Sequence, residues 1–212
     1  MEMKQPKILI VGCGPGAAAC VSPEARGAAY QADVLVGSPR LLDLFRESSA
    51  ERIDVRGNVP ATLEAVARNQ ARRVAVLVTG DPGIASLAAS VLKRFGRDSC
   101  RVIPGVSSVQ AAFARLGLDW IDARILSAHE ATPDIDISGL CRERKIAILS
   151  GSNGASIWAA GVAEHLGAEW QLFVAENLTL EAERVYRTTP EALREGAFPP
   201  LTIFLFVRSD CL

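Results

Sequence analysis

Lys7-Ile8-Leu9-Ile10-Val11-Gly12-Cys13-Gly14-Pro15-Gly16 couples an apolar run to a turn of small residues. Two later stretches repeat the device. Val74 to Val78 leads into Thr79-Gly80-Asp81-Pro82-Gly83, and Cys100 to Ile103 leads into Pro104-Gly105-Val106-Ser107-Ser108. Such runs read as buried parallel strands. In open α/β sheets ligands bind outside the carboxyl ends of the strands, where these turns lie. Three such turns in one half of a chain imply one small-molecule site at which a ligand approaches the backbone.

Working outward, strand-like runs recur at 33 to 36, 123 to 127, 145 to 149, 170 to 175 and 201 to 207. Helical patterns separate most of them. Ser22-Pro23-Glu24 combines an N-cap, a proline at the first helical position and an acid in the first turn, and Ser38-Pro39 repeats the start. Pro60 opens a helix expected through about Ala71, and another is expected from Val109 to Leu116. The βαβ alternation predicts an α/β fold of two domains with mostly parallel sheets. Gly117-Leu118-Asp119-Trp120-Ile121-Asp122 marks the junction, giving domains 1–118 and 119–212. Ala131-Thr132-Pro133-Asp134 is expected as an irregular loop over a cleft.

At 212 residues and 49% hydrophobic content, the chain is long enough for one large or two small cores, and a marginal mini-protein is excluded. Five widely spaced cysteines without a C-x-x-C, and two histidines, His129 and His165, indicate neither a disulfide framework nor a metal site. A net charge of −1 disfavours nonspecific nucleic-acid binding. Residues 1–118 carry 15 Lys and Arg against 10 Asp and Glu, and residues 119–212 carry 8 against 14, a division that reads first as scattered solvated surface charge and alternatively as a first half that receives an anionic ligand. The apolar run after Lys7 is too short for a secretory or membrane segment, and a cytoplasmic location is expected.

The first turn matches G-x-G-x-x-A through Gly12, Gly14 and Ala17, which raises a nicotinamide-dependent oxidoreductase. Three details oppose it. The helix signal waits until Ser22, Pro15 lacks an N–H donor, and Asp33 precedes its apolar run instead of ending it. Taken singly, Asp81-Pro82 reads as a helix start, and Ser107 or Ser108 as a helix cap. Those readings leave unexplained why three such loops share one domain.

Together, Gly12-Cys13-Gly14-Pro15-Gly16, Gly80-Asp81-Pro82 and Pro104-Gly105-Val106-Ser107-Ser108 resemble the signature of the tetrapyrrole (corrin/porphyrin) methylases, nearly end to end. Gly37-Ser38-Pro39-Arg40-Leu41-Leu42 and Ala114-Arg115-Leu116-Gly117-Leu118-Asp119-Trp120 are most similar to the branch that methylates carbon 5 of a precorrin intermediate, cobalt-precorrin-7 or precorrin-6Y, in cobalamin biosynthesis. The resemblance implies a two-domain fold with the active site in the interdomain cleft. It implies S-adenosyl-L-methionine as methyl donor, S-adenosyl-L-homocysteine as product, and a homodimer. It also implies a carbon-15 methyltransferase and decarboxylase, separate or fused.

The implied donor contacts are Gly12, Gly14, Pro15, Gly16, Thr79, Gly80, Asp81, Ile84, Ser107, Ser108, Ser150 and Leu178. His129 is the candidate general base, and Arg40, Arg115 and Arg124 are candidates for the substrate's carboxylates. Alternative readings are methylation at another ring carbon or of uroporphyrinogen III, the oxidoreductase, and a noncatalytic nucleotide-sensing module.

Overall fold

The structure, a computed structural model, describes residues 6–152 and 154–212. Its contacts divide the chain into two compact units, one ending at Ser107 and one beginning at Ser108.

In the first unit, β1 (Ile8–Gly12), α1 (Pro23–Tyr30), β2 (Val34–Gly37), α2 (Pro39–Leu42), β3 (Glu51–Asp54), α3 (Val59–Arg68), β4 (Val74–Val78), α4 (Ala88–Phe95) and β5 (Cys100–Ile103) follow in order. The sheet has the order β3-β2-β4-β1-β5, and every pairing in it is parallel. Alternation of side chains along β1 explains its burial on both faces. Leu9 and Val11 join Leu35 and Leu77 under Ala25 and Ala29 of α1 and Leu41 and Leu42 of α2. Ile8 and Ile10 join Val34, Val36, Val74 and Val76 under Ala65 and Val66 of α3 and Ala88 and Val91 of α4. Crossovers toward β3 thus lie on one face and those returning toward β5 on the other, as right-handed βαβ connections require.

The expected helix starts at Ser22 and Ser38 are present. The Ser22 hydroxyl accepts from Ala25 N–H at 3.1 Å, whereas the Ser38 side chain makes no cap bond. The helix expected from Pro60 to Ala71 is α3, which begins one residue earlier, behind Asn58, whose Oδ1 accepts from Ala61 N–H at 2.8 Å. It stops at Arg68, where Asn69 donates back to the Ala65 carbonyl at 2.9 Å. Asp81-Pro82 opens no helix, because α4 starts only at Ala88. The strand order also differs from the 3-2-1-4-5-6 order of dinucleotide-binding sheets, since β4 lies between β2 and β1.

The second unit comprises α5 (Ser108–Arg115), β6 (Ala123–Ala128), β7 (Lys145–Ser150), α6 (Ala155–Leu166), β8 (Trp170–Glu176), β9 (Arg184–Thr188), α7 (Pro190–Glu195) and β10 (Thr202–Arg208). Its sheet order is β6-β7-β10-β8-β9. The mostly parallel expectation holds here only for β6 and β7. β10 inserts antiparallel between β7 and β8, and β9 folds back antiparallel on β8. The β7-α6-β8 alternation is therefore real, but the two strands it joins are not neighbours.

Helix α5, placed with the first half in the sequence reading, groups with the second unit. Its Val109, Ala112 and Phe113 pack with Ala147, Phe173, Ile203 and Leu205. Helices α6 and α7 cover the opposite face over Ile146, Ile148, Val174 and Phe204. The Ala131 to Asp134 stretch is irregular, as expected. No helix of the described residues is long and apolar enough to cross a membrane.

Candidate functional site

In the first unit β4 and β5 flank β1, with Gly12 opposite Val78 and Val11 opposite Ile103. Strand adjacency therefore delivers the turns after β1, β4 and β5 to one place. They touch backbone to backbone. Cys13 N–H donates to the Val78 carbonyl at 2.9 Å, and Gly14 and Gly80 exchange N–H···O bonds at 3.3 and 2.8 Å as an isolated antiparallel bridge.

Glycine is required by space as well as by conformation. A Cβ on Gly12 would lie 2.6 Å from Gly105 N, and one on Gly105 would lie 2.5 Å from the Gly80 carbonyl oxygen. Gly14 and Gly80 also have positive φ values, 75° and 67°, which side chains disfavour.

Asp81 joins the second turn to the third. One carboxylate oxygen accepts from Gly83 N–H at 2.7 Å and the other from Gly105 N–H at 3.1 Å. Ile84 N–H in turn donates to the Asp81 carbonyl at 3.2 Å. Pro15, Gly16 and Ser107 are buried beside these turns, and Thr79 and Ile84 are partly exposed. Ala85, just beyond, holds a positive φ of 42°, an uncommon conformation for a residue with a side chain.

Arg40, at the second position of α2, reaches this cluster. Its Nη2 donates to the Thr79 hydroxyl at 2.8 Å, and burial pushes its basicity below the usual guanidinium value. Cys13 lies close enough to interact with it electrostatically. Burial drives the Cys13 thiol up to about 12, so it stays protonated at neutral pH as an apolar filler.

The second unit carries the other sequence candidates. His129 follows β6, is exposed, and places Nδ1 3.4 Å from the Ser150 carbonyl oxygen at the end of β7. A Cβ on Gly151 would lie 2.2 Å from that Nδ1, so the ring sits directly on the glycine. Leu178 is buried in a turn whose Asn177 and Thr179 both have positive φ, 48° and 67°.

Arg115 does not present a free fork. Its Nε and Nη2 donate to Glu183 at 2.6 and 3.1 Å, which ties it to the 177–183 turn. Arg124 is exposed on β6 and makes no ion pair among the described residues. Ser108 opens α5.

Two features escaped the sequence reading. The double use of Asp81 links residues 24 apart, which no local pattern announces. Glu176, 5% exposed at the end of β8, accepts from the Tyr186 hydroxyl at 3.0 Å and pairs with Arg184 at 3.6 Å. Its partners lie on β9, a strand with no apolar run to reveal it. Among the described residues no group of His, Cys, Asp and Glu is arranged to hold a metal ion.

The family model for Tetrapyrrole (Corrin/Porphyrin) Methylases matches residues 7–194. The chain is 29% identical to the cobalt-precorrin-7 C(5)-methyltransferase of Salmonella typhimurium, over 84% of this chain and 89% of that protein. It is 28% identical to the precorrin-6Y C(5,15)-methyltransferase [decarboxylating] of Mycobacterium tuberculosis, over 92% of this chain but 49% of that protein. Among solved structures, the cobalamin biosynthesis precorrin-6Y methylase of Archaeoglobus fulgidus superposes with a TM-score of 0.71 at 27% identity, covering 95% of this chain and 97% of the other. The uroporphyrin-III C-methyl transferase of Thermus thermophilus, complexed with S-adenosyl homocysteine, shares the fold with a TM-score of 0.78 at 19% identity, over 94% and 91% of the two chains.

Proposed function

From the premise that the chain belongs to the tetrapyrrole (corrin/porphyrin) methylases, we propose that it transfers a methyl group from S-adenosylmethionine to carbon 5 of a precorrin in cobalamin biosynthesis. The observation that carries the carbon assignment is the likeness, along most of both chains, to the Salmonella cobalt-precorrin-7 C(5)-methyltransferase.

The residue types suit this chemistry. When bound, the donor supplies a methyl group already activated on a sulfonium, so the protein needs no covalent nucleophile. What it must supply is alignment, and orientation alone can lower a barrier by about 7–11 kcal/mol. The turns containing Gly12, Gly14, Pro15, Gly16, Thr79, Gly80, Asp81, Ile84 and Ser107 are assigned to hold the donor, through backbone groups and small side chains. The pattern that fits is the one on the first unit: turns stripped of side-chain bulk, with Asp81 fixing the position of Gly105 N–H. The family pattern extends the proposed donor contacts to Ser108, Ser150 and Leu178.

His129 is assigned as the acceptor of the proton lost once carbon 5 is methylated, its imidazole being exposed and braced on Gly151. Arg124 is assigned to a substrate carboxylate. Carbon 15 is assigned to a second protein or domain, in keeping with the C(5,15) activity for which the Mycobacterium relative is named, of which this chain spans about half. A homodimer and a cytoplasmic location complete the reading, the former to be checked by sedimentation.

The deciding experiment is incubation with cobalt-precorrin-7 or precorrin-6Y and methyl-labelled donor, followed by NMR location of the label. Label at carbon 5 is expected, and label elsewhere moves the enzyme to another branch of the family. Calorimetry should also show S-adenosylhomocysteine binding. Micromolar binding of NADH with no response to the sulfur ligand would reinstate the oxidoreductase.

A further inference from the structure

Arg40 is a cation held without a counter-charge. Its Nη2 is anchored on the Thr79 hydroxyl at 2.8 Å, while Nη1 is buried and has no hydrogen-bond partner. No carboxylate pairs with it among the described residues, and the neighbouring Cys13 thiol is protonated at neutral pH and brings no charge.

A buried donor without a partner is costly, and a charged one more so, so native structures rarely retain one without a reason. The guanidinium is a planar fork whose geometry matches an oxygen anion, above all a carboxylate. With one arm fixed to Thr79, the orientation of the other is set in advance.

The position is equally informative. Arg40 lies three residues beyond β2, and Thr79 immediately follows β4, the neighbour of β2 in the sheet. The guanidinium therefore stands at the carboxyl ends of the strands, beside the turn that carries Gly80 and Asp81.

We infer that Arg40 is a carboxylate receptor of the first unit, its half-buried guanidinium donating to a carboxylate oxygen of a bound ligand and Thr79 serving as the positioning residue that holds the fork. The inference rests on the methylase reading and deepens it. Two ligands of that reaction bring carboxylates: the amino-acid end of the donor and the acetate and propionate side chains of the tetrapyrrole.

Arg40→Gln, Arg40→Lys and Thr79→Val distinguish these sources. Affinities for S-adenosylhomocysteine and for 5′-methylthioadenosine, which lacks the carboxylate, are measured by calorimetry, and KM for the precorrin is measured at saturating donor. If the tetrapyrrole is the source, Arg40→Gln raises KM by about 10- to 100-fold and leaves both affinities unchanged. If the donor is the source, its affinity for S-adenosylhomocysteine falls by about the same factor while that for methylthioadenosine is kept.

Arg40→Lys keeps the charge and removes the fork, so it should fold even where Arg40→Gln does not and still show most of the loss. Thr79→Val should give a smaller loss in the same parameter. Folded Arg40 variants in which neither KM nor either affinity moves by more than about twofold would overturn the inference alone. A wild-type chain that binds neither sulfur ligand nor precorrin would overturn the methylase reading with it.

Discussion

The turns after β1, β4 and β5 in the first unit lie backbone against backbone, fastened by the Gly14–Gly80 bridge and by one side chain, the Asp81 carboxylate, which accepts from two main-chain N–H groups. In the second unit the 177–183 turn is fastened by side chains: Glu183 takes the Arg115 fork and accepts from the Thr179 N–H. Lys145, similarly, holds Asp119 through both its carboxylate, at 2.6 Å, and its carbonyl, at 3.0 Å. Backbone contacts this close leave no room for an added atom, whereas the Arg115–Glu183 pair, between partly exposed side chains, can loosen and re-form. The first arrangement suits a ligand that must be placed accurately, and the second a surface whose geometry tolerates sequence change.

The largest effect should come from adding one methyl group to the first arrangement. In Gly105→Ala the new Cβ would meet the Gly80 carbonyl at 2.5 Å and the Gly12 backbone at 2.8 Å, neither of which can rotate away. A loss of about 3 kcal/mol is expected, with melting lowered by roughly 5–10 °C, and binding of S-adenosylhomocysteine should be abolished. The same substitution at Gly27, where nothing lies within 4 Å, should raise stability by about 0.5–1 kcal/mol through helix propensity. Equal tolerance at both positions would show that the close backbone approach at Gly105 does not restrict the first unit's turns.

Next in size is Asp81→Ala, which strands the N–H groups of Gly83 and Gly105. About 2 kcal/mol should be lost in urea denaturation, and donor affinity should fall about tenfold, because the third turn is released from the second. Asp81→Asn keeps one acceptor oxygen and should lie between wild type and alanine. If Asp81→Ala lowers affinity without lowering stability, the carboxylate contacts the ligand instead of tying the turns together.

These two cases mark where the sequence is legible. The apolar runs at 8–12 and 74–78 announce buried parallel strands because each is uninterrupted, whereas 100–103, broken by Arg101, forms an edge strand with Arg101 and Val102 exposed; the turns after all three are recognisable as a set. That β4 and β5 both flank β1 is a property of strand order, which no local pattern contains. The Asp81–Gly105 tie depends on that order and is hidden with it. Glu51-Arg52-Ile53-Asp54 and Arg184-Val185-Tyr186-Arg187-Thr188 form strands without apolar runs because both lie at sheet edges, where only one neighbour constrains them. Arg115 was visible as a cation, but its partner Glu183 lies 68 residues away.

A third test addresses the contact between His129 and Gly151. In Gly151→Ala the added Cβ would lie 2.2 Å from His129 Nδ1 and 2.8 Å from its backbone oxygen, so the ring must turn away. A stability cost of about 1 kcal/mol is expected. The diagnostic result is a fall in kcat with unchanged affinity for S-adenosylhomocysteine, matched by His129→Ala. Full turnover in both variants would remove the imidazole from the chemistry.

The smallest effect belongs to the side-chain fastening. Arg115→Ala breaks a pair whose side chains are 44% and 23% exposed, so only about 0.2–1 kcal/mol should be lost at neutral pH. Its pH dependence has a definite sign. The hydrogen bond from Arg115, aided by the Thr179 N–H, holds the Glu183 carboxyl below the ordinary value of 4.5 despite partial burial. A depressed acid contributes its full stability above that ordinary value and loses it as pH falls through the lower, folded-state value. The gap between wild type and Arg115→Ala should therefore be widest near pH 7 and shrink on acidification below about 4.5. Denaturation midpoints at pH 7 and pH 3 are enough to read it. A gap that persists undiminished at pH 3 would show that Arg115 stabilises the turn through its aliphatic stem, making that loop a packed element and narrowing the difference from the first unit.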